Sequence, residues 1–306
     1  MLILLIFWGS FAAVSKLTIK NMDGFQLLFA QFAAAFAIMT IMYIINGDIS
    51  VTGVQTCALP IFNGDIRKLS NLSVKQVVLT VLFALPSFLY YLFYFLSLKL
   101  IPAIEASILN YLFPVFIILF SIIIDREKMQ MYKIGAILLG FAGVVVIITG
   151  GNLHSARPTN IQGDVLAICA AVSWGMFSVL GRRNPMDLQI SNYLSVAISF
   201  LLSLVCVLLF SRFRAPDPPS LLGILWLSLS NIVLGYYLWF KVLKLTSAAM
   251  ASSMSLITPF VTFLFIALLL NEKITGVQLA GLALVIAGLL LQNIPFFMHL
   301  REKFWT

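Results

Sequence analysis

One acidic residue and two hydrogen-bonding residues lie inside the long apolar run at 101–123. Glu105 is followed five and six residues later by Asn110 and Tyr111. A carboxylate inside a membrane-spanning helix costs several kcal/mol unless it faces a cavity or a partner. An amide or hydroxyl can bind a polar substrate, or can bond a neighbouring helix for about 0.6 kcal/mol. We take these three residues as substrate-binding candidates, with interfacial snorkelling of Glu105 and helix–helix bonding of Asn110 as alternatives.

Other polar and aromatic residues in apolar runs extend the candidate set. Aromatic residues near the end of a membrane span usually form an interfacial belt, but Trp8 and Trp174 lie deeper than that belt requires. Gln31 lies in the middle of its run, and a polar stripe around Thr258 repeats the one around Asn110. The substrate-binding candidates are Glu105, Asn110, Tyr111, Trp8, Trp174, Ser252, Ser255, Tyr90, Tyr237 and Gln31.

Pro114 and Pro259 are candidate hinges. A proline inside a helix removes a backbone donor and clashes with the preceding turn. A kink at each site would leave carbonyl groups facing a cavity and would suit alternating access, although a purely structural kink is an equal alternative.

The sequence predicts that the protein is not an enzyme and holds no cofactor or metal. An intramembrane enzyme would need a His cluster, an Asp pair or a Ser-Lys arrangement inside the spans, and none is evident. No GxxxxGK[ST] motif is present, so ATP does not drive the protein within this chain. The three cysteines have no CxxC spacing.

An internal duplication positions these residues. Shifted by 145 positions, Lys99–Gly143 aligns without a gap on Lys244–Gly288. Apolar sequence matches itself often at Leu or Ala, but rarely at proline, Glu-Lys and glycine in one register. Such a repeat decides the fold prediction before any single element does. The matched features include Pro114 with Pro259, Glu127-Lys128 with Glu272-Lys273, and Gly143 with Gly288.

Composition places most of the chain in lipid. Hydrophobic residues make up 61% and charged residues 10%, with a mean hydropathy of +1.06. Soluble domains carry roughly 25% charged residues. The core of a soluble domain of 306 residues could not bury so much apolar surface. The net charge of +8 then indicates basic cytoplasmic loops rather than nucleic-acid binding.

We predict an all-α integral membrane protein with ten transmembrane helices. A span needs about 20 apolar residues. Because each half holds five spans, an odd number, the second half must enter the membrane inverted, as in many transporters. Spans 1–4 and 6–9 should enclose a central cavity, with the glycine-bearing spans 5 and 10 outside it. The predicted spans are near 2–20, 24–45, 74–97, 101–123, 131–150, 163–182, 190–211, 221–243, 247–269 and 276–294.

The predicted domains are a first five-helix repeat at 1–150, a second at 151–298 and a cytoplasmic tail at 299–306. With both termini inside, the cytoplasmic side collects twelve Lys and Arg residues against seven outside, which favours this orientation in the plasma membrane. The first span lacks a basic region and a cleavage site, which argues against a signal peptide and leaves open whether native residues precede Met1.

Residues 46–66 do not fit the duplication. Val51–Ile61 resembles the translated read-through of a sequencing adapter, and Asn46–Ile49 recurs as Asn63–Ile66. We interpret the segment as an artefactual insertion that forms no element of the fold, with a native polar loop as the alternative.

These motifs resemble the drug/metabolite transporter superfamily in its EamA-type ten-helix form. The resemblance lies in Phe7–Ser10, Ser173–Gly175 and the repeated Pro…Glu-Lys…Gly pattern, and it covers nearly the whole chain. Ile104–Pro114 is similar to the aromatic amino-acid exporter branch, where an acidic residue precedes Asn-Tyr-Leu-Trp-Pro; here Phe113 replaces the Trp.

The resemblance implies a secondary transporter that exports amino acids or related metabolites by alternating access. Its expected partners are a small-molecule substrate and the lipid bilayer. Coupling to a proton is left open by the sequence, with Glu105 as the candidate site for it. Transport of other metabolites or drugs, or import, is the alternative. A channel would need a ring of like charges along a pore, and a single deep Glu does not supply one.

Overall fold

The computed structural model describes residues 2–52, 73–124, 126, 130–148, 160–184, 186–212, 214–245, 258–292 and 294, and these are overwhelmingly helical. The first half contains α1 (Leu2–Thr18), α2 (Gly24–Thr52), α3 (Val74–Leu100), α4 (Ala103–Asn110), α5 (Phe113–Ile124) and α6 (Met131–Ile148). The second half contains α7 (Ile161–Arg183), α8 (Leu188–Phe210), α9 (Pro218–Leu227), a π-helical segment (Ser228–Val233), α10 (Leu234–Leu245), α11 (Thr258–Leu270) and α12 (Gly276–Gln292).

Six of the helical stretches are long and apolar enough to cross a membrane. They are Gly24–Ile44, Gln76–Leu100, Ala103–Ile124, Ile161–Gly181, Gln189–Phe210 and Pro218–Trp239. Four shorter apolar helices accompany them, at Leu2–Thr18, Met131–Ile147, Thr258–Leu270 and Gly276–Leu291. Every backbone group inside such a helix is bonded within it, which is what a lipid environment demands. The fold is that of an all-helical, multi-pass membrane protein.

The two predicted hinge prolines both stand at the beginning of a helix. The stretch 103–124 is interrupted at Tyr111 and Leu112, so Pro114 lies in the first turn of α5. Pro259 is likewise the second residue of α11. In a first turn the missing N–H has no intrahelical partner to lose, so proline is tolerated there. The interior kink expected at Pro114 is therefore replaced by a helix break at Tyr111 and Leu112, whereas the residues that precede Thr258 lie outside the described part of the chain and the kink at Pro259 stays a prediction.

Equivalent positions of the two halves make equivalent contacts. A Cβ added to Gly9 on α1 would lie 2.4 Å from Val261 Cγ1 on α11, and one added to Gly175 on α7 would lie 2.7 Å from Phe116 Cβ on α5. Phe116 and Val261 are counterparts in the 145-residue register. Each Trp-Gly helix thus packs closely on the proline-bearing helix of the other half.

The helices predicted as spans 5 and 10, which are α6 and α12, also make equivalent contacts in the two halves. A Cβ on Gly143 would lie 2.8 Å from the Gly281 oxygen, and one on Gly288 would lie 2.9 Å from the Ala136 oxygen. Gly288 is the counterpart of Gly143, and Ala136 is the counterpart of Gly281, in the 145-residue register. The second contact is therefore the first one with the two halves interchanged. The side-by-side packing of α6 on α12 therefore depends on glycine at the contact.

Two left-handed residues also correspond. Arg126 after α5 has φ 54° and Asn271 after α11 has φ 53°, and they occupy equivalent positions of the repeat. A residue with positive φ commonly ends a helix, with asparagine accepted at such a position. The local backbone therefore repeats along with the sequence.

One expectation about the insertion needs correction. We expected residues 46–66 to form no element, but α2 continues through Thr52, so positions 46–52 are helical. Residues 53–66 lie outside the described part of the chain. The helix extends because nothing between Ile45 and Thr52 breaks it other than Gly47, and one glycine disfavours a helix by only about 1 kcal/mol.

Candidate functional site

A cavity lies between the two halves, at the helix break and the two proline-bearing helix starts. Its empty space is about 750 Å³ when the open solvent at its mouth is included. It is lined by Trp8, Phe11 and Ala12 of α1, Tyr90, Tyr91 and Tyr94 of α3, Ser107 and Asn110 of α4, Tyr111, Phe113 and Pro114, Trp174 of α7, Asn231 of the π-helical segment, Thr258, Pro259 and Thr262 of α11, and Leu289 of α12.

This lining agrees in part with the expected arrangement. No described residue of α2 or α8 contributes to it, although both were expected to enclose the cavity. Leu289 contributes from α12, which was expected to lie outside. The difference arises because α12 also packs on α4.

Aromatic rings form one side of the cavity. Trp8 and Trp174, counterparts in the two halves, lie edge to face with ring centroids 6.2 Å apart. Tyr90 packs against Trp174 at 4.8 Å, and Phe11 stacks on Tyr94 at 5.0 Å. Aromatic surfaces of this kind bind apolar and aromatic groups, and their faces also attract cations.

Two residues of the lining carry unsatisfied polar atoms. Asn110 Nδ2 donates to the Tyr90 hydroxyl at 3.4 Å, but its Oδ1 is buried and receives no hydrogen bond from the described residues. Thr258 Oγ1 is in the same situation. A buried polar atom without a partner is unfavourable by about 1–3 kcal/mol. Both residues line the cavity, so a polar ligand that reached these oxygens would be a suitable partner for them.

The remaining hydroxyl groups of the cavity are satisfied within the protein. Tyr111 and Thr262 share a hydrogen bond of 2.5 Å between their hydroxyl oxygens, and Tyr94 and Ser107 share one of 3.2 Å. The Tyr111 pair joins the break after α4 to α11 of the other half. Tyr111 therefore lines the cavity as expected, but its hydroxyl is engaged in a bond between the halves.

Helix starts add electrostatic character to the cavity. Phe113–Pro114 begins α5 and Thr258–Pro259 begins α11, and all four residues line the cavity. The first turn of a helix carries unbonded N–H groups and a partial positive charge, which favours anions. In α5 the Val115 and Phe116 N–H groups already bond to the Leu112 oxygen and Pro114 has no N–H, so the dipole of α5, rather than free N–H groups, would favour an anion there.

Glu105 occupies a different place from the one expected. It is 5% exposed in the first turn of α4, but it does not belong to the cavity lining. Its carboxyl group instead interacts with Asp164 in the first turn of α7, which is 1% exposed. Direct contact of Glu105 with a substrate therefore stays a prediction, and in this structure Glu105 lies outside the cavity lining.

Two other candidates lie away from the cavity. Gln31 is fully buried, and its side-chain nitrogen Nε2 donates a hydrogen bond to the Leu227 backbone oxygen at 3.3 Å. This bond joins α2 to α9. Tyr237 accepts a hydrogen bond from Lys241 Nζ at 3.4 Å on the outside of α10. Helix packing explains the position of Gln31, and an exposed cation–hydroxyl pair explains that of Tyr237. Ser252 and Ser255 lie outside the described residues.

Some cavity residues did not enter the candidate set although a signal was available. Asn231 is a polar residue in an apolar run, as Asn110 is, and Tyr91 donates a hydrogen bond of 3.5 Å to its backbone oxygen. Phe11 follows Trp8 by about one turn of α1, so the two side chains lie on the same face of that helix. Asp164, which lies outside the cavity lining, was also missed, although it is an acidic residue at the start of a span, as Glu105 is.

Glu272 and Lys16 also differ from expectation. We expected Glu272 to be a solvated loop residue, but its two carboxylate oxygens accept hydrogen bonds from the backbone N–H groups of Ala103 at 3.0 Å and Ile104 at 3.1 Å. Lys16 was expected to snorkel, but its Nζ donates to the backbone oxygens of Leu98 and Ile101. Together they hold the connection between α3 and α4. Glu127 lies outside the described residues.

A cavity between two repeated, apolar helical halves defines a membrane transporter rather than an enzyme. The chain matches the EamA-like transporter family over residues 1–149 and 161–294, and it belongs to that family. The matched ranges fall one on each predicted repeat.

Several relatives are transporters by name. An uncharacterized transporter of Archaeoglobus fulgidus is 29% identical over 95% of this chain and 94% of its own length. The aromatic amino acid exporter YddG of Ancylobacter novellus is 28% identical, covering 65% of this chain and 70% of its own length. A probable amino-acid metabolite efflux pump of Salmonella typhimurium is 27% identical over 69% and 74%.

A crystal structure of a protein has the same fold. It superposes with a TM-score of 0.62 at 22% identity and covers 95% of this chain and 94% of its own. At that identity the likeness concerns the fold alone.

Proposed function

We propose that this transporter exports amino acids with aromatic or large apolar side chains by alternating access. The observation that carries the proposal is the pairing of the Trp8–Trp174 surface with the unsatisfied Asn110 Oδ1 in one cavity. The names of the exporter and efflux-pump relatives support the same substrate class.

The cavity offers one complementary group for each part of such a substrate. Asn110 Oδ1 can only accept hydrogen bonds, so it suits the substrate ammonium group. The positive end of the α5 dipole suits the carboxylate. The rings of Trp8, Tyr90 and Trp174 suit the side chain. Thr258 Oγ1 can donate or accept and completes the polar end.

The proposed architecture is ten spans in two inverted five-helix repeats in the plasma membrane, with both termini cytoplasmic. The exchanged contacts of Gly9 with Val261 and Gly175 with Phe116 support a two-fold relation between the halves. An odd number of spans per half makes that relation an inversion. The helix starts at Pro114 and Pro259 would then serve as hinges around a site near the midplane.

A counterflow assay in proteoliposomes tests the substrate class. Vesicles loaded with one unlabelled amino acid take up a labelled one only if both are substrates. We expect labelled phenylalanine, tryptophan and methionine to exchange, whereas glutamate and lysine should not. Exchange restricted to charged or very small metabolites would contradict the proposed substrate class.

Asn110→Ala tests the assigned binding group in the same assay. It removes the acceptor for the ammonium group, a charge-assisted hydrogen bond of about 1.5–3 kcal/mol, so the apparent KM should rise about tenfold or more. Asn21→Ala is the matched control, since the Asn21 amide donates to Asp217 at an exposed site. Equal KM values for both variants would remove Asn110 from the binding site.

A further inference from the structure

Asn231 lines the cavity, but none of the binding roles proposed above uses it. It is buried in the π-helical segment of the second half, whereas Asn110 belongs to the first half. Its Nδ2 donates a hydrogen bond to Ser230 Oγ at 2.8 Å, and its backbone oxygen accepts one from the Tyr91 hydroxyl at 3.5 Å. Asn231 Oδ1 receives no hydrogen bond from the part of the chain that the structure describes.

The neighbouring serine determines which way the Asn231 amide points. Ser230 Oγ donates its one proton to the Trp226 backbone oxygen at 2.6 Å. A hydroxyl group whose proton is used in this way can only accept a further hydrogen bond. The Asn231 nitrogen, and not its oxygen, must therefore face Ser230, so the usual ambiguity between the two amide atoms is resolved here. Asn231 Oδ1 is left as an atom that can only accept.

The backbone of the π-helical segment holds this side chain in place. The Leu234 N–H donates to the Leu229 oxygen, five residues earlier. A Cβ added to Gly235 would lie 2.6 Å from the Ser230 backbone oxygen, so this wide turn requires glycine at that position. Single π-helical turns inside α-helices are frequent at functional sites. The segment therefore presents Asn231 from a defined backbone rather than from a loop.

Asn231 lies on the aromatic side of the cavity. A Cβ added to Gly235 would lie 3.7 Å from Trp8 Nε1, and the Trp8 ring packs on Trp239 with centroids 5.0 Å apart. The groups proposed for the substrate ammonium and carboxylate, Asn110 and the start of α5, lie instead on the two sides of the break between α4 and α5. The position of Asn231 therefore suits the substrate side chain rather than the amino-acid end.

We propose that Asn231 Oδ1 accepts a hydrogen bond from the polar atom of an aromatic substrate side chain, and so favours tyrosine and tryptophan over phenylalanine. The phenol O–H and the indole N–H are donors, and the phenyl ring has none. An apolar pocket alone distinguishes a ring from its hydroxylated form only weakly, whereas a site that bonds the hydroxyl disfavours the analogue without it. This inference rests on the proposed function, because it specifies the substrates of that same cavity.

Ratios of apparent KM values in the counterflow assay test this role. Phenylalanine is compared with tyrosine, and 1-methyltryptophan, which lacks the indole N–H, is compared with tryptophan. Asn231→Ala should lower both ratios by about two- to tenfold, the usual effect of losing one neutral hydrogen bond. Asn231→Leu keeps the number of side-chain heavy atoms without an acceptor and should have the same effect. Asn21→Ala, at an exposed site, should leave both ratios unchanged.

A ratio measured within one protein is insensitive to how much of each variant is folded. If the KM values of all four compounds rise by the same factor in the Asn231 variants, Asn231 binds the amino-acid end or only supports packing. If none of them changes, Asn231 does not contact the substrate. Either result overturns the proposal.

Binding of indole to the purified protein tests the same atom without transport. Thermal stabilisation in detergent gives apparent Kd values for indole and 1-methylindole. Asn231→Ala should lower the ratio of the 1-methylindole Kd to the indole Kd by the same factor, and an unchanged ratio overturns the proposal. If no amino acid exchanges in counterflow, the proposed function fails, and the indole ratio still decides the role of Asn231. If aromatic amino acids exchange and the ratios do not change, only the present inference fails.

Discussion

At the scale of single residues, the carboxylate of Glu272 has a defined structural role. It accepts two backbone hydrogen bonds at the start of α4, from Ala103 and Ile104. Pro102 occupies the position before the helix and offers no side-chain cap. A carboxylate from the connection between α11 and α12 therefore replaces the usual local cap of a helix N-terminus. It does so across the interface between the halves.

We expect Glu272→Ala to destabilise the protein by about 0.5–2 kcal/mol, the usual effect of losing a helix cap. Glu272→Gln should lie between Ala and wild type, because an amide retains one acceptor oxygen. Thermal unfolding in detergent measures the effect, with the exposed neighbour Lys273→Ala as control. Equal melting temperatures for Glu272→Ala and Lys273→Ala would contradict this role.

The sequence could predict part of the site, and the reason lies in the repeat. Trp8, Trp174 and Asn110 stood out because their depth in apolar runs can be read from spacing alone, and all three line the cavity. Glu105 stood out equally, but which neighbour it meets depends on how α4 packs on α7. Gln31 and Tyr237 lie away from the cavity, and the sequence could not show this because a polar residue in a span does not reveal which helix face it occupies.

At the scale of elements, the repeat predicted helix existence better than helix boundaries. The apolar stretches were recognised because about 20 apolar residues suffice for a span. The break at Tyr111–Leu112 and the π-helical segment were not predicted. At both places the regular backbone hydrogen bonds of an α-helix are interrupted, and neighbouring helices and side chains can satisfy the freed groups. A pattern of hydrophobic residues does not indicate where this happens.

Glycine at the contact of α6 with α12 yields a second prediction. Gly143→Ala should destabilise the protein by about 1–3 kcal/mol, because the added methyl group would lie 2.8 Å from the Gly281 backbone oxygen and the backbone must move. Gly276→Ala is the matched control on α12, since nothing lies within 4 Å of its added Cβ. Alanine there should be neutral or slightly stabilising. Unfolding in detergent compares them, and equal stability of the two variants would contradict the close approach.

At the scale of the whole molecule, the two halves exchange their contacts. α1 packs on α11 and α7 packs on α5, so the helix bearing Trp-Gly in each half rests on the proline-bearing helix of the other. Neither half can form the cavity alone, because Trp8 and Trp174 meet across it. The symmetry is not complete, since Met250 stands at the counterpart of Glu105.

Inversion of the halves yields the last prediction. Arg126 and Asn271 are counterparts with the same left-handed backbone, at the ends of α5 and α11, and Arg126 and Asn271 are both exposed. In parallel halves they would lie on the same side of the membrane, whereas in inverted halves they lie on opposite sides. We replace Cys57, Cys169 and Cys206 with serine and introduce Arg126→Cys or Asn271→Cys. An impermeant maleimide should label Arg126→Cys only in inside-out vesicles and Asn271→Cys only in right-side-out vesicles. Lys20→Cys, at the exposed end of α1, serves as an external control. Labelling of both counterparts from one side would refute the inverted architecture and leave a parallel repeat.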